Sequence, residues 1–286
     1  MIYLILAACC SAALTLVLKW FRDPKGSRWG ILLGNYLTCV LIAFLQMPDK
    51  GRLFAVSPRT LLMSCVGGFF FVAGLVCMQS SVRMNGATLT SAFSKLGMLI
   101  PLLVSFLFFK EVPTLLQGAG LLLAVGAIAV INLSEKDADA KEGQGGAVLW
   151  ILLLTLLACG CSESMSKIFE RLGEPAEATR FFFFLFLTAA LLTAALAAAE
   201  KGKGGQSIRL KELTAGVLAG IPNYFSSWFL LQSLQRLPAM LVYPAQSVGT
   251  ILLVTAAGSL LFGEKLTRRE WAGFVLILAA LVLLDL

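Results

Sequence analysis

An all-α integral membrane protein of ten transmembrane helices, arranged as two inverted five-helix repeats, is the fold this sequence predicts, and three observations predict it. Apolar stretches of about twenty residues recur along the whole chain, each long enough as a helix to cross roughly 30 Å of hydrocarbon. The composition, 58% hydrophobic against 14% charged over 286 residues, leaves no length for a soluble domain. Shifting the chain against itself by 153 residues aligns 59–133 with 212–286 without a gap. In that alignment Gly67, Gln79, Ser80 and Arg83 meet Gly220, Gln232, Ser233 and Arg236, while Phe109, Glu111, Thr114 and Gly120 meet Phe262, Glu264, Thr267 and Gly273. At a slightly different offset Leu6, Ala7, Cys10 and Ser11 match Leu157, Ala158, Cys161 and Ser162. Backbone groups exposed to lipid have no partner, so only helices or a closed barrel can span, and continuous apolar runs exclude the alternating pattern of a barrel. An odd number of spans per repeat inserts the second repeat upside down. The expected organisation is one membrane domain: a first repeat over 1–133, a linker over 134–146 and a second repeat over 147–286.

The first segment, 2–19, carries Ser11, Thr15 and Lys19 at helical spacing; Leu6-Ala7-Ala8-Cys9 resembles a lipoprotein cleavage box, but no basic region precedes it and the apolar run continues to Leu18, so the helix is expected to be retained. The second, 29–46, opens on Gly30-x-x-x-Gly34, a spacing that lets two helix backbones approach closely. The third is 60–81. The fourth, 87–109, bears Ser91, Ser94, Lys95 and Ser105 on a polar stripe, with Pro101 inside. The fifth, 113–133, is apolar from Leu121 to Ile131 and belongs at the periphery, as does the tenth, 267–286. The sixth, 147–168, holds Thr155, Ser162, Glu163 and Ser166, and the seventh, 178–199, carries the run Phe181 to Phe184, expected at lipid or the interface. The eighth, 212–234, has Gly216-x-x-x-Gly220, Pro222, Asn223, Ser226 and Ser227; the ninth, 239–262, has Tyr243, Pro244, Gln246, Ser247 and Thr250. Polar stripes inside spans face protein or water, since facing lipid is costly, so segments one, four, six, eight and nine should line a path.

The intramembrane charges sharpen this reading. Lys95 lies about 4–5 Å from the bilayer centre by helical rise, too deep to snorkel easily. It either attracts an anionic substrate group or is satisfied by carbonyls and serines such as Ser91. Glu163 should sit on the far side of the midplane, an axial offset on the order of 12 Å, so the expected ion pair is Glu163 with Lys167, one turn on. Glu163 is also a candidate carrier of a coupling proton, because desolvation and Lys167 act on it in opposite directions. Glu111 and Glu264 stand at turns and are read as caps or interfacial anchors. The expected substrate group is Lys95, Ser91, Ser94, Asn223, Tyr224, Tyr243, Gln246 and Thr250, with Glu163 and Lys167 as the coupling pair.

Two stretches carry a family resemblance: PLLVSFLFFKEVPTLLQGAGLLLAVGAIAVI from Pro101, and its partner TILLVTAAGSLLFGEKLTRREWAGFVLILAALVLL from Thr250. Each is an apolar helix with an aromatic-rich end, a Glu, a short turn and Gly in the next helix. The chain thereby resembles the drug/metabolite transporter superfamily, in its ten-helix EamA-like branch. Val254 stands where the second repeat would match Pro101. The resemblance implies a secondary carrier for small organic solutes such as amino acids, nucleotide sugars, sugar phosphates or drugs.

The net charge of +7 does not indicate nucleic acid, because nearly every Lys and Arg flanks an apolar segment. No histidine exists, the seven cysteines form no CxxC, and no GxxxxGK[ST] loop occurs, so no metal, no cofactor and no ATP-driven step is expected. An embedded enzyme lacks its catalytic constellation, and a channel its charged ring or carbonyl filter. The expected function is secondary active transport of a small organic metabolite, an amino acid, organic anion or similar, by alternating access across the plasma membrane. Export of drugs or cations is the alternative, and a channel or enzyme ranks below it. The expected partners are a small-molecule substrate, the lipid bilayer and a coupling proton, with the chain a monomer or homodimer. Loops on the side away from the termini hold most of the basic residues, which places both termini outside.

Overall fold

Continuous apolar sequence becomes helix wherever its backbone must satisfy itself, and the computed structural model is helical in this way. It describes residues 1–21, 27–85, 87–132, 145–202 and 208–262, with scattered helical positions between 272 and 283. In chain order the helices are α1 (Ile2–Trp20), α2 (Arg28–Gln46), α3 (Pro58–Asn85), α4 (Ala87–Leu96), α5 (Leu99–Phe109), α6 (Leu115–Asn132), α7 (Gly145–Leu172), α8 (Ala178–Gly202), α9 (Leu210–Leu234) and α10 (Ala239–Phe262). No strand occurs among the described residues. Six helices there are long and apolar enough to cross a membrane: Ile2–Trp20, Arg28–Gln46, Pro58–Val82, Leu149–Leu172, Pro175–Gly202 and Ala239–Ala257. α9 has the length but not the hydropathy, since its second half carries Asn223, Ser226, Ser227, Gln232 and Ser233. It packs between α1 and α2, so polar side chains there meet protein. Glu264 and the linker core 134–144 lie outside the described residues, as does most of the tenth segment.

The fourth segment departs from the expected continuous helix. It breaks at Gly97-Met98 into α4 and α5, and the junction is held by tighter i→i+3 bonds, Gly97 N–H to Ser94 O at 3.2 Å and Met98 N–H to Lys95 O at 3.2 Å. Two local causes converge. Pro101 supplies no N–H to the carbonyl of Gly97, and Gly97 lies backbone to backbone with Gly160 of α7, where an added Cβ would fall 3.1 Å from the Gly160 nitrogen. Lys95 therefore occupies the last turn of a half-helix, where a cation complements the helix dipole.

The directions of the helices follow from which residues meet. Gly30 faces Glu212, Gly34 faces Gly216 and Gly220 faces Thr38, so α2 and α9 run parallel. Trp29 bonds Glu200 and Tyr36 stacks on Phe186, so α8 runs against α2. Ser57 bonds Glu177 and Thr188 bonds Cys65, so α3 follows α8. Gly67 meets Met165 and Gly74 meets Cys159, so α7 opposes α3. Tyr3 meets Phe229 and Ala7 meets Ser226, so α1 opposes α9. The consequence is that α7, which opens the second half, points opposite to α1. Exchanging the halves also maps contacts onto contacts: α1 on α9 corresponds to α7 on α3, and α2 on α9 to α8 on α3.

The glycine pairs work as the spacing suggests. A Cβ on Gly34 would lie 2.6 Å from the Leu213 carbonyl oxygen, and one on Gly220 would lie 2.6 Å from that of Asn35, so α2 and α9 touch along their backbones. The phenylalanine run is a correction. Phe181, Phe182 and Phe183 are buried, not lipid-facing, because the first half of α8 is clasped by α2 and α3. Phe181 stacks on Phe169 at 4.3 Å between centroids, and Phe182 meets Tyr224 edge-on at 6.0 Å.

Candidate functional site

Where the polar stripes converge, a cavity of about 310 Å³ opens inside the bundle. α1 contributes Ser11; the end of α4 contributes Ser94 and Lys95; α7 contributes Cys159, Ser162, Glu163 and Ser166. Asn223, Ser226 and Ser227 come from α9, and Tyr243, Gln246, Ser247 and Thr250 from α10. Several hydroxyls are already satisfied by their own helices, as with Thr250 to Gln246 O at 2.7 Å and Ser227 to Asn223 O at 3.2 Å. Asn223 donates to Asn35 Oδ1 at 2.8 Å, and Ser226 to Ala7 O at 3.3 Å. These groups fix helix positions and still present polar surface.

Lys95 and Glu163 share this cavity. Gly160 packed against Gly97 sets the register of α7 on the broken fourth segment. Lys95 then lies two residues before the crossing point and Glu163 three after it, about 7–8 Å of rise that two long side chains span. Their charges act on each other, and no hydrogen bond joins them. Glu163 Oε2 is buried without a hydrogen-bond partner among the described residues. The Tyr243 hydroxyl donates to the Glu163 backbone carbonyl at 3.0 Å, which leaves the carboxylate itself uncommitted.

The expected Glu163–Lys167 pair does not form. Adjacent turns of a helix can bring two charges together, but Lys167 is drawn away by better-placed acids: its Nζ lies 2.7 Å from Glu111 Oε1 and 2.8 Å from Glu170 Oε2. Nor does Lys167 snorkel, being only 1% exposed. Arg171 also pairs with Glu111, whose other oxygen accepts the Ala239 N–H at 3.3 Å. Glu111 is thus a cap, but of α10 and not of its own helix. A left-handed Lys110 (φ 56°) and a bond from Glu111 N–H to Ser105 O at 3.1 Å close α5 and turn Glu111 toward α7. Burial alone would raise the Glu111 carboxyl; the hydrogen bonds from Lys167 and Arg171 outweigh it and hold the group below its ordinary 4.5.

Tyr224 is likewise no part of the cavity. Its hydroxyl donates to Gln46 Oε1 at 2.8 Å, and its ring lies among Phe182, Phe186 and Trp228. One residue from Asn223 on a helix is about 100° around the axis, which turns it from the cavity to the aromatic core. The side chain of Ser91 lies outside the described residues. The α3 wall, Phe70, Phe71, Gly74, Leu75 and Met78, was missed, since α3 shows no polar stripe. The self-alignment at 153 residues held the clue: it sets Phe70 and Gly74 of α3 against Asn223 and Ser227 of α9. The outcome is one apolar wall facing polar ones. Among the described residues, none of α6 lines the cavity.

A sequence profile of the EamA-like transporter family matches residues 1–133 and 148–285. The chain belongs to the EamA-like transporter family. Among curated proteins it is 25% identical, over 97% of its own length and 95% of the other's, to an uncharacterized protein of Haemophilus influenzae. Among solved structures it resembles, with a TM-score of 0.75 and 15% identity, a chain described as the crystal structure of a protein, over 99% of this chain and 94% of that one. That likeness concerns the fold. Family and helices together make this a multi-pass membrane transporter.

Proposed function

We propose that the protein is a secondary active carrier of the cytoplasmic membrane that moves a small organic metabolite bearing both an anionic and a cationic group, an amino acid or a close analogue, by alternating access. The observation that carries this reading is the joint presence of Lys95 and Glu163 in one cavity, neither charged group with a hydrogen bond among the described residues. In a low-dielectric interior an uncommitted charge is costly, so each is best explained by a group it receives. A carboxylate docks on Lys95, an ammonium on Glu163, and the apolar remainder lies against Phe70, Phe71 and Met78. Ser94, Asn223, Gln246, Tyr243 and Thr250 supply hydrogen bonds around it.

The architecture proposed is ten spans in two inverted repeats, 1–133 and 147–286. Supporting it are the opposite directions of α1 and α7, the exchange of contacts between halves, and a family profile that matches in two stretches. Two similar halves facing opposite ways can trade inward-open and outward-open states at little free-energy difference, with the site between them. Glu163 also suits a coupling proton, exchanged for the substrate's cation in alternate steps.

The test is competition in proteoliposomes. Uptake of a radiolabelled amino acid should be blocked by other zwitterions, and far less by the corresponding decarboxylated amine or deaminated acid. Equal inhibition by the amine alone would transfer the reading to a cation exporter. Replacing Glu163 with Gln should abolish uptake driven by a pH gradient; undiminished pH-driven uptake in that variant removes the proton role.

A further inference from the structure

Two helices that wall the cavity, α7 and α10, are tied together one turn beyond it by the turn that follows α5, all at the membrane face that carries Met1. Glu111 lies in the turn after α5, Lys167, Glu170 and Arg171 in the last turns of α7, and Ala239 at the start of α10. Lys167 bridges Glu111 at 2.7 Å and Glu170 at 2.8 Å while only 1% exposed, and Glu111, 13% exposed, reaches the Ala239 N–H at 3.3 Å. Ser166, next to Lys167, and Tyr243, one turn into α10, both line the cavity. The cluster therefore acts directly on the cavity's own walls.

We propose that Lys167 and Glu111 are the gating residues of this face: their buried ion cluster is a latch that holds α5, α7 and α10 together, keeps the cavity shut toward the Met1 side, and must open for that side to be reached. The proposal rests on the carrier reading above and adds to it which residues set the balance between its two states.

The geometry shows why the latch belongs to one state. At this end α5 packs on both α7 and α10, whereas the other half of the broken segment, α4, packs on α3, α6 and α7. Rocking one half against the other must part α5 from α10, and Glu111 is the side chain that spans that seam. Tyr243 stands between, its hydroxyl on the Glu163 carbonyl at 3.0 Å, so a solute that moves α10 moves the residue abutting the cluster. In the self-alignment Leu16 of α1 stands where Lys167 stands in α7, so the latch lysine is a feature of the second half.

The experiment uses the full chain without its native cysteines, in sealed vesicles of both orientations, with Ser162→Cys as reporter in the cavity and a membrane-impermeant maleimide as probe. In the parent, labelling from the Met1 face should be slow and from the opposite face faster. With Glu111→Gln, labelling from the Met1 face should rise at least several-fold and labelling from the other face fall. Unchanged rates at both faces overturn the latch. A second variant puts a covalent tie in place of the ionic one: a disulfide between Glu111→Cys and Ala239→Cys should shut labelling from the Met1 face until reductant is added, and reduction should leave it as open as in Glu111→Gln. Labelling unaffected by that cross-link also overturns the proposal. Failure of the carrier reading looks different, because the parent itself would then be labelled from both faces at equal speed or from neither.

Discussion

Among the described residues, two lysines lie within the bundle, Lys95 and Lys167, and they live in opposite circumstances. Lys167 is enclosed, with Glu111 and Glu170 both within 2.8 Å. Lys95 lines a cavity and makes no hydrogen bond or ion pair with a described residue beyond a long-range attraction to Glu163. A buried charge whose partners are built in contributes to holding helices in place; one whose partner is missing is available to a ligand. Satisfaction of the charge, more than its depth, separates architecture from site.

The comparison breaks most sharply by substitution. Lys167→Met leaves Glu111 and Glu170 without their central cation and should cost about 3–5 kcal/mol, read as a large loss of thermal stability in detergent. Lys95→Gln should leave that melting temperature nearly unchanged and abolish saturable uptake. If the two phenotypes were exchanged, the assignment of roles would be reversed.

A smaller effect sharpens the structural side. Since the folded Glu111 carboxyl sits below its ordinary value, its stabilising contribution is fully present above about 4.5 and disappears as pH falls through the lower folded value. Thermal stability of the purified protein should therefore drop in acid below pH 4.5, and Glu111→Gln should start lower and show a shallower drop. An identical slope in that variant would remove Glu111 from the acid response. The smallest effect is Tyr224→Phe, which forfeits one hydrogen bond to Gln46, about 1 kcal/mol, and leaves substrate affinity alone. A weakened affinity would return Tyr224 to the site.

Much of this was legible in the residues. Period-3.6 placement of Ser162, Glu163 and Ser166, or of Tyr243, Gln246, Ser247 and Thr250, reports a common face, and a polar face within apolar sequence has nowhere to go but inward. The Gly30/Gly34 and Gly216/Gly220 spacings likewise announced close backbones. What failed were the pairings. Glu163 and Lys167 are neighbours by helical arithmetic, yet Glu111, 56 residues away in sequence, takes the lysine.

By itself, then, the sequence determined that the chain spans lipid as helices, that its two halves align with each other, and which faces carry polar stripes, because those properties depend on local hydrophobicity, periodicity and self-similarity. Tertiary structure alone decided that the fourth span breaks beside Lys95, that an apolar α3 completes the cavity, that Phe181 to Phe183 turn inward, and which acid each lysine meets. Those outcomes depend on the register between helices distant in sequence, and register is set by backbone contacts such as Gly97 on Gly160, whose partner no single stretch of chain contains.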